Sequence, residues 1–119
     1  VLSHTTPEIY NPQTGRLDSR QIAEFLHLRT SDIASITGFS DRYVRKDPDA
    51  PSFQPALHKV ATIIDGLGEL TGNDKRQMLI WLNAPHPVLD NQSPLDLMRN
   101  NKIDVIVDLV DDILTGAPA

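Results

Sequence analysis

The stretch WLNAPHPVLDNQSPLDLM, residues 81–98, restricts the possible folds of this chain more than any other. An amphipathic helix leads into it, and Pro85 and Pro87 prevent that helix from continuing. Ser93 can then accept a backbone hydrogen bond as the N-cap of a new helix. The sequence therefore predicts two helices joined by a rigid turn, which we call the proline corner (residues 83–93).

A rigid corner is well suited to binding a partner, because a preformed turn loses little conformational entropy when another molecule docks on it. We expect Asn83 to end the first helix in the left-handed conformation, which asparagine tolerates better than most residues. We expect the indole of Trp81 to lie in the core. The residues around it can still form a surface that binds a partner.

The rest of the chain also has helical periodicity. Apolar residues recur at helical spacing from Leu57 to Leu67, and the helix starts have capping residues. The expected caps are Asp18 or Ser19, Ser40, and Asn73 or Asp74, and a second short helix is expected to start at Thr30 or Ser31. No segment alternates with period two for long enough to require a sheet, so we predict an all-α fold.

Composition narrows the possible environments of the protein. The 119 residues include no cysteine, which excludes disulfides and thiolate metal sites and fits a reducing cytoplasm. No apolar run approaches the roughly 20 residues of a membrane span. The sequence begins with Val1 rather than methionine, so we expect the native chain to begin further upstream. The net charge of −5 arises entirely from Val60 onward, which suggests two surfaces with different partners.

Residues 30–44, TSDIASITGFSDRYV, have the pattern of two helices joined by a tight turn. Ala34 supplies a small residue at the helix contact, Gly38 a turn with positive φ, and Val44 an apolar residue that locks the second helix. This pattern resembles the helix-turn-helix of Xre-type repressors. The alternative is a tight αα-corner with a solvated charged face, since Asp47 and the DPDAP loop limit the second helix to about two turns.

The resemblance implies that the helix capped by Ser40 is a recognition helix facing a DNA major groove. Arg42 would read guanine, Arg45 and Lys46 would contact phosphates, and Tyr43 would pack sideways or touch the DNA backbone. The implied DNA-binding residues are Ser40, Asp41, Arg42, Tyr43, Arg45 and Lys46.

The proline corner carries a second resemblance. Within and beside it, residues of the stretch 81–98 are similar to the toxin-binding domain of Xre/MbcA/ParS-type antitoxins, namely Trp81, Leu82, Asn83, Pro85, Leu89, Pro94, Leu95 and Leu97. Together with the helix-turn-helix, the resemblance covers residues 17–116. Asn91 and Asn101 stand where the family has glycine, and asparagine can adopt the positive φ that such turns need.

This resemblance implies an antitoxin of a bacterial type II toxin–antitoxin system, located in the cytoplasm. Its expected partner is a RES-domain toxin, which consumes NAD or transfers ADP-ribose from it. Its expected homodimer would also bind operator DNA and repress its own operon. The implied toxin-binding residues are Trp81, Asn83, Pro85, His86, Asn91, Pro94, Arg99, Thr115 and Gly116.

The resemblance also suggests domain bounds: an extended arm at 1–16, a helix-turn-helix domain at 17–72 and a toxin-binding domain at 73–119. Two other functions stay open. One is a stand-alone repressor whose C-terminal half only dimerises, and the other is an adaptor that no longer binds DNA.

The last helix, from Ile103 onward, combines an apolar face with a narrow stripe of aspartates. We expect Ile113 and Leu114 on the apolar face, while Val105 and Leu109 lie on its flank. The flank residues would either pack against a second copy or the toxin, or belong to a well-buried terminal helix. The resemblance also implies that residues 115–119 block the mouth of the toxin's active site.

Catalysis is not expected. The four histidines include no pair at metal-ligand spacing, and the chain has no nucleophile elbow or phosphate-binding loop. We therefore predict no enzymatic activity, no cofactor and no metal ion.

Overall fold

The computed structural model describes residues 8–116, and its regular elements in that range are helices. The seven α-helices are α1 Ser19–Leu26, α2 Thr30–Thr37, α3 Asp41–Lys46, α4 Gln54–Thr71, α5 Lys75–Asn83, α6 Pro94–Arg99 and α7 Ile103–Thr115. Short 3-10 helices occupy Pro51–Phe53 and Pro87–Leu89. The predicted all-α class is confirmed.

The chain divides into two compact units, Val1–His58 and Lys59–Ala119, and the division falls within α4. In the first unit, α2 packs against both α1 and α3. In the second, α6 packs against both α5 and α7. None of the helices described for residues 8–116 is long and apolar enough to cross a membrane. The bounds 17–72 and 73–119 remain predictions.

Side-chain caps and turn residues set the helix ends in the first unit as the sequence predicts. Asp18 accepts the backbone N–H groups of the first turn of α1, and Gly38 ends α2 with φ 80°. The Ser40 hydroxyl accepts the N–H of Tyr43 at 3.1 Å. Helix α3 stops before Pro48, because proline disfavours helical geometry in the preceding residue.

Residues 8–16 form a folded loop rather than the predicted extended arm, whose residues 1–7 lie outside the described range. Ile9 is buried, and the Asp49 carboxylate accepts hydrogen bonds from the Asn11 amide at 3.2 Å and the Thr14 hydroxyl at 2.7 Å. Arg16 adds an ion pair to the same carboxylate at 3.3 Å. The sequence pattern of the segment gave no sign of this loop, because its partner Asp49 is distant along the chain.

The second unit has a close helix contact at Gly66. Helix α4 continues to Thr71 despite its glycines, and Gly66 is buried against Val110 and Leu114 of α7. A Cβ at position 66 would overlap a γ-methyl of Val110. The glycine therefore allows α7 to lie close to the backbone of α4.

We expect Gly66→Ala to destabilise the protein by about 1–3 kcal/mol, because overpacking at Val110 outweighs the roughly 1 kcal/mol gain in helix propensity. The measurement is the free energy of unfolding in urea. Glu69→Ala, at an exposed position of the same helix, is the control and should change it by less than about 0.5 kcal/mol. A G66A protein as stable as the wild type would contradict the close contact.

Candidate functional site

The proline corner leaves α5 through an extended residue. Ala84 has φ −86° and ψ 144°, and Leu89 is buried beneath the turn that follows. The Ser93 hydroxyl then accepts the N–H of Asp96 at 3.1 Å and starts α6, as predicted. The corner is therefore capped at its exit and anchored by one apolar side chain.

The prediction that Asn83 ends α5 in the left-handed conformation is wrong. Asn83 is the last residue of α5, and its side-chain amide donates to the Leu79 carbonyl at 2.7 Å. The physical reason is Pro85, which disfavours compact backbone geometry in the residue before it. Ala84 is thereby held extended, and no left-handed residue is needed.

The reversal of the chain falls on Asp90 and Asn91, with φ 56° and 61°. Two backbone hydrogen bonds close the turn: the N–H of Asn91 donates to the His86 carbonyl at 2.9 Å, and the N–H of His86 donates to the Gln92 carbonyl at 3.1 Å. Asn101, between α6 and α7, has φ 63°. The predicted positive φ at Asn91 and Asn101 is confirmed.

His86 connects the corner to the end of α5. Its ring Nε2 lies 2.9 Å from the Trp81 carbonyl, so Nε2 carries the proton and donates. The two rings are also in contact, with centroids 4.9 Å apart. The predicted core position of the indole is not observed, since Trp81 is only half-buried. Met78 and Leu82 occupy the buried face of α5 and leave Trp81 on its flank.

Helix α7 is buried on one face only. Ile103, Ile106 and Val110 are buried, whereas Val105 is 46% exposed. Ile113 and Leu114, which the sequence places on the apolar face, are exposed at 44% and 37%. The alternative of a well-buried terminal helix therefore does not hold for its second half, which leaves an apolar surface without cover.

A groove of about 190 Å³ lies between α4 and α7. It is lined by Thr62, Ile63, Val107, Asp108, Val110, Asp111 and Leu114. Asp65 lies on α4, two residues after Ile63. Its pKa is raised above the ordinary value, mainly by burial and also by the neighbouring charge of Glu69. Among residues 8–116, no three histidine or carboxylate side chains lie together as a metal site would require.

Helix α3 has a buried side and a cationic side. Val44 is buried, while Arg42, Arg45 and Lys46 are exposed. Residues four apart share a helix face, so Arg42 and Lys46 project together, roughly opposite Val44. The exposed side of α3 therefore has the charge that a polyanion would need.

Tyr43 packs sideways, which was one of the two arrangements considered from the sequence. Its ring meets Phe39 and Phe53 edge-on, with centroids 5.7 and 5.0 Å apart. Its hydroxyl lies 3.2 Å from that of Ser52. Tyr43 therefore fixes α3 against the following segment.

Comparison with known proteins finds a family model that matches the C-terminal part of the chain. Residues 67–116, all within the second unit, match the family model described as the antitoxin Xre/MbcA/ParS C-terminal toxin-binding domain. Over these residues, the chain resembles the toxin-binding domain of Xre/MbcA/ParS antitoxins. No curated protein matches the chain in sequence.

A solved structure shares the fold of this chain. The chain resembles a chain in the crystal structure of the M. tuberculosis MbcT–MbcA toxin–antitoxin complex, with a TM-score of 0.56 and 21% sequence identity. The match covers 85% of this chain and 94% of that chain. At this identity the likeness shows the fold alone.

The residues that the resemblance implies for toxin binding differ in how exposed they are. Pro94 is buried, so it supports the corner from beneath. Arg99 is half-buried and pairs with Asp96 at 3.1 Å. Trp81 and His86 are half-buried, and the exposed members are Asn83, Pro85, Asn91, Thr115 and Gly116.

Two candidate residues were missed by the sequence analysis. Val88 and Ile80 are the most exposed large apolar side chains in the described part of the chain, at 69% and 58%. Ile80 lies on the face of α5 opposite Met78 and Leu82, and this helical spacing could have revealed it. Val88 stands between two turn residues, where no periodic pattern exists to mark it.

We expect His86→Ala to shift the emission of the only tryptophan to longer wavelength, because the ring that covers the indole is removed. The loss of one hydrogen bond should also lower stability by about 1 kcal/mol. The measurements are the emission maximum and urea unfolding. Asn83→Ala, which removes a similar bond to a carbonyl without touching the indole, should leave the emission maximum unchanged. An unshifted maximum in H86A would rule out the contact between the two rings.

Proposed function

We propose that this protein is an antitoxin. It neutralises a toxin by binding it on the proline corner and the exposed side of α7. The observation that carries the proposal is the exposure of Val88 and Ile80 on and beside a corner whose backbone is already closed by hydrogen bonds. Exposed apolar side chains on a rigid turn provide buried contact area at a small entropic cost.

The proposed partner is a RES-domain toxin that acts on NAD. Support comes from the family of the C-terminal domain, whose description names toxin binding, and from the similar chain in a toxin–antitoxin complex. In this proposal the antitoxin inhibits by occupying the toxin's surface and performs no catalysis of its own.

The end of α7 is proposed to approach the toxin's active-site mouth. Thr115 and Gly116 are exposed, and Gly116 ends the helix with φ 69°. Residues 117–119 lie outside the described range. If a chain lacking residues 115–119 neutralises the toxin fully, this part of the proposal is wrong.

A second proposed function is operator binding. The support is the cationic side of α3 together with the tight turn between α2 and α3, the arrangement expected of a helix-turn-helix. We propose that a homodimer presents two such helices, with the exposed Val105 as a contact between copies. Light scattering of the purified protein would measure the oligomeric state directly.

We expect Ile80→Asp and Val88→Asp each to weaken toxin binding by about 30-fold or more, as charges in the centre of an interface do. The measurements are growth rescue and pull-down with the toxin encoded by the neighbouring gene. Tyr10→Asp is the control, because it places the same charge at a 43% exposed side chain of the other unit. Folded variants that retain full neutralisation would exclude the corner as the binding surface.

We expect Lys46→Gln to weaken binding to every DNA duplex and to reduce the salt slope of log K by about 0.9, the loss of one phosphate contact. Arg42→Gln should cost about 1–3 kcal/mol on the operator and less on mixed sequence. Arg20→Gln, an exposed cation on α1, is the control and should change neither value.

The same titration separates the competing functions. Operator binding with no toxin partner in growth or pull-down assays would favour the stand-alone repressor. Failure of the wild type to bind any duplex at low salt would favour the adaptor that lacks DNA binding.

A further inference from the structure

The cationic side of α3 contains its own anion. The Asp41 carboxylate lies 3.3 Å from the Arg45 guanidinium, one helical turn further along. Its other oxygen, Oδ1, is buried and has no hydrogen-bond partner among the described residues. Arg45 is therefore the group that neutralises this carboxylate.

The pair divides the three cations of α3 into two classes. Arg42 and Lys46 share one helix face, while Asp41 and Arg45 share the adjacent face. A phosphate approaching Arg45 must displace the carboxylate and also meets its negative charge. Arg42 and Lys46 need no such exchange for contact with DNA.

We infer that Asp41 is a brake on the DNA affinity of α3, acting by holding Arg45 away from phosphate. The inference rests on the proposed DNA binding and deepens it. The brake is partial, because the side chains of Arg45 and Asp41 are 63% and 38% exposed and an exposed pair at this spacing is weak. Bound DNA can compete for Arg45, but it loses part of the binding free energy in doing so.

The test uses the full chain and a mixed-sequence duplex, because phosphate contacts do not depend on sequence. Affinity is measured by fluorescence anisotropy between about 50 and 200 mM salt. Asp41→Asn keeps the size of the side chain and removes its charge. We expect this variant to bind about two- to tenfold more tightly, with a salt slope steeper by about 0.9.

Asp47→Asn is the matched control. It removes the same charge at the other end of α3, where Asp47 is exposed. It should increase affinity less than D41N does and leave the salt slope unchanged. Equal gains in D41N and D47N would show a general charge effect and overturn the inference.

A second variant removes the other partner. In the D41N/R45Q protein the gain in affinity seen in D41N should disappear, because the released guanidinium is absent.

If wild type and D41N bind equally with the same slope, the inference about Asp41 is wrong while DNA binding stands. If neither binds at the lowest salt, both the brake and operator binding by α3 are wrong, and the toxin assays remain unaffected. Thermal unfolding followed by circular dichroism confirms that each variant is folded.

Discussion

Pro85 determines the course of the chain after α5, and the candidate binding surface depends on it. By holding Ala84 extended, it sends the backbone out of the helix without a left-handed residue. The reversal then occurs later, at Asp90 and Asn91, where two hydrogen bonds return the chain to His86. Val88 lies inside this loop and is exposed because the loop closes around backbone contacts rather than around its side chain. One steric restriction thus sets which side chains face a partner.

Local rules predicted most of the secondary structure. The end of α5 differs from the prediction because of the neighbouring Pro85, and the other differences arise from non-local contacts. The caps at Asp18, Ser40 and Ser93 and the positive φ of Asn91 depend on neighbours a few residues away, so sequence was sufficient for them. The folded loop at residues 8–16 depends on Asp49, and no pattern in the sequence links two segments so far apart. Helical periodicity also could not predict the exposure of the second half of α7. It identifies the apolar face of a helix but not how much of that face is covered by other residues.

The two halves of the chain differ in charge. The first 59 residues are balanced overall, and the cations of α3 stand beside acids that reduce their field. The second unit is acidic. Burial and the charge of Glu69 raise the pKa of Asp65 on α4. In the proposed operator binding, the chain binds nucleic acid weakly as a single copy and more strongly when two copies act together, since each copy adds its phosphate contacts. Its acidic side would favour a basic rim on a protein partner.

The contact at Gly66 has a consequence for variation among relatives of this chain. Val110 occupies the space that a side chain at position 66 would need, so side chains at the two positions compete for the same volume. A homologue with alanine at the first position would need a smaller side chain at the second to keep the helices equally close. Correlated exchange of size between these two sites would therefore mark chains that retain this helix crossing, even where the residues of the corner have diverged.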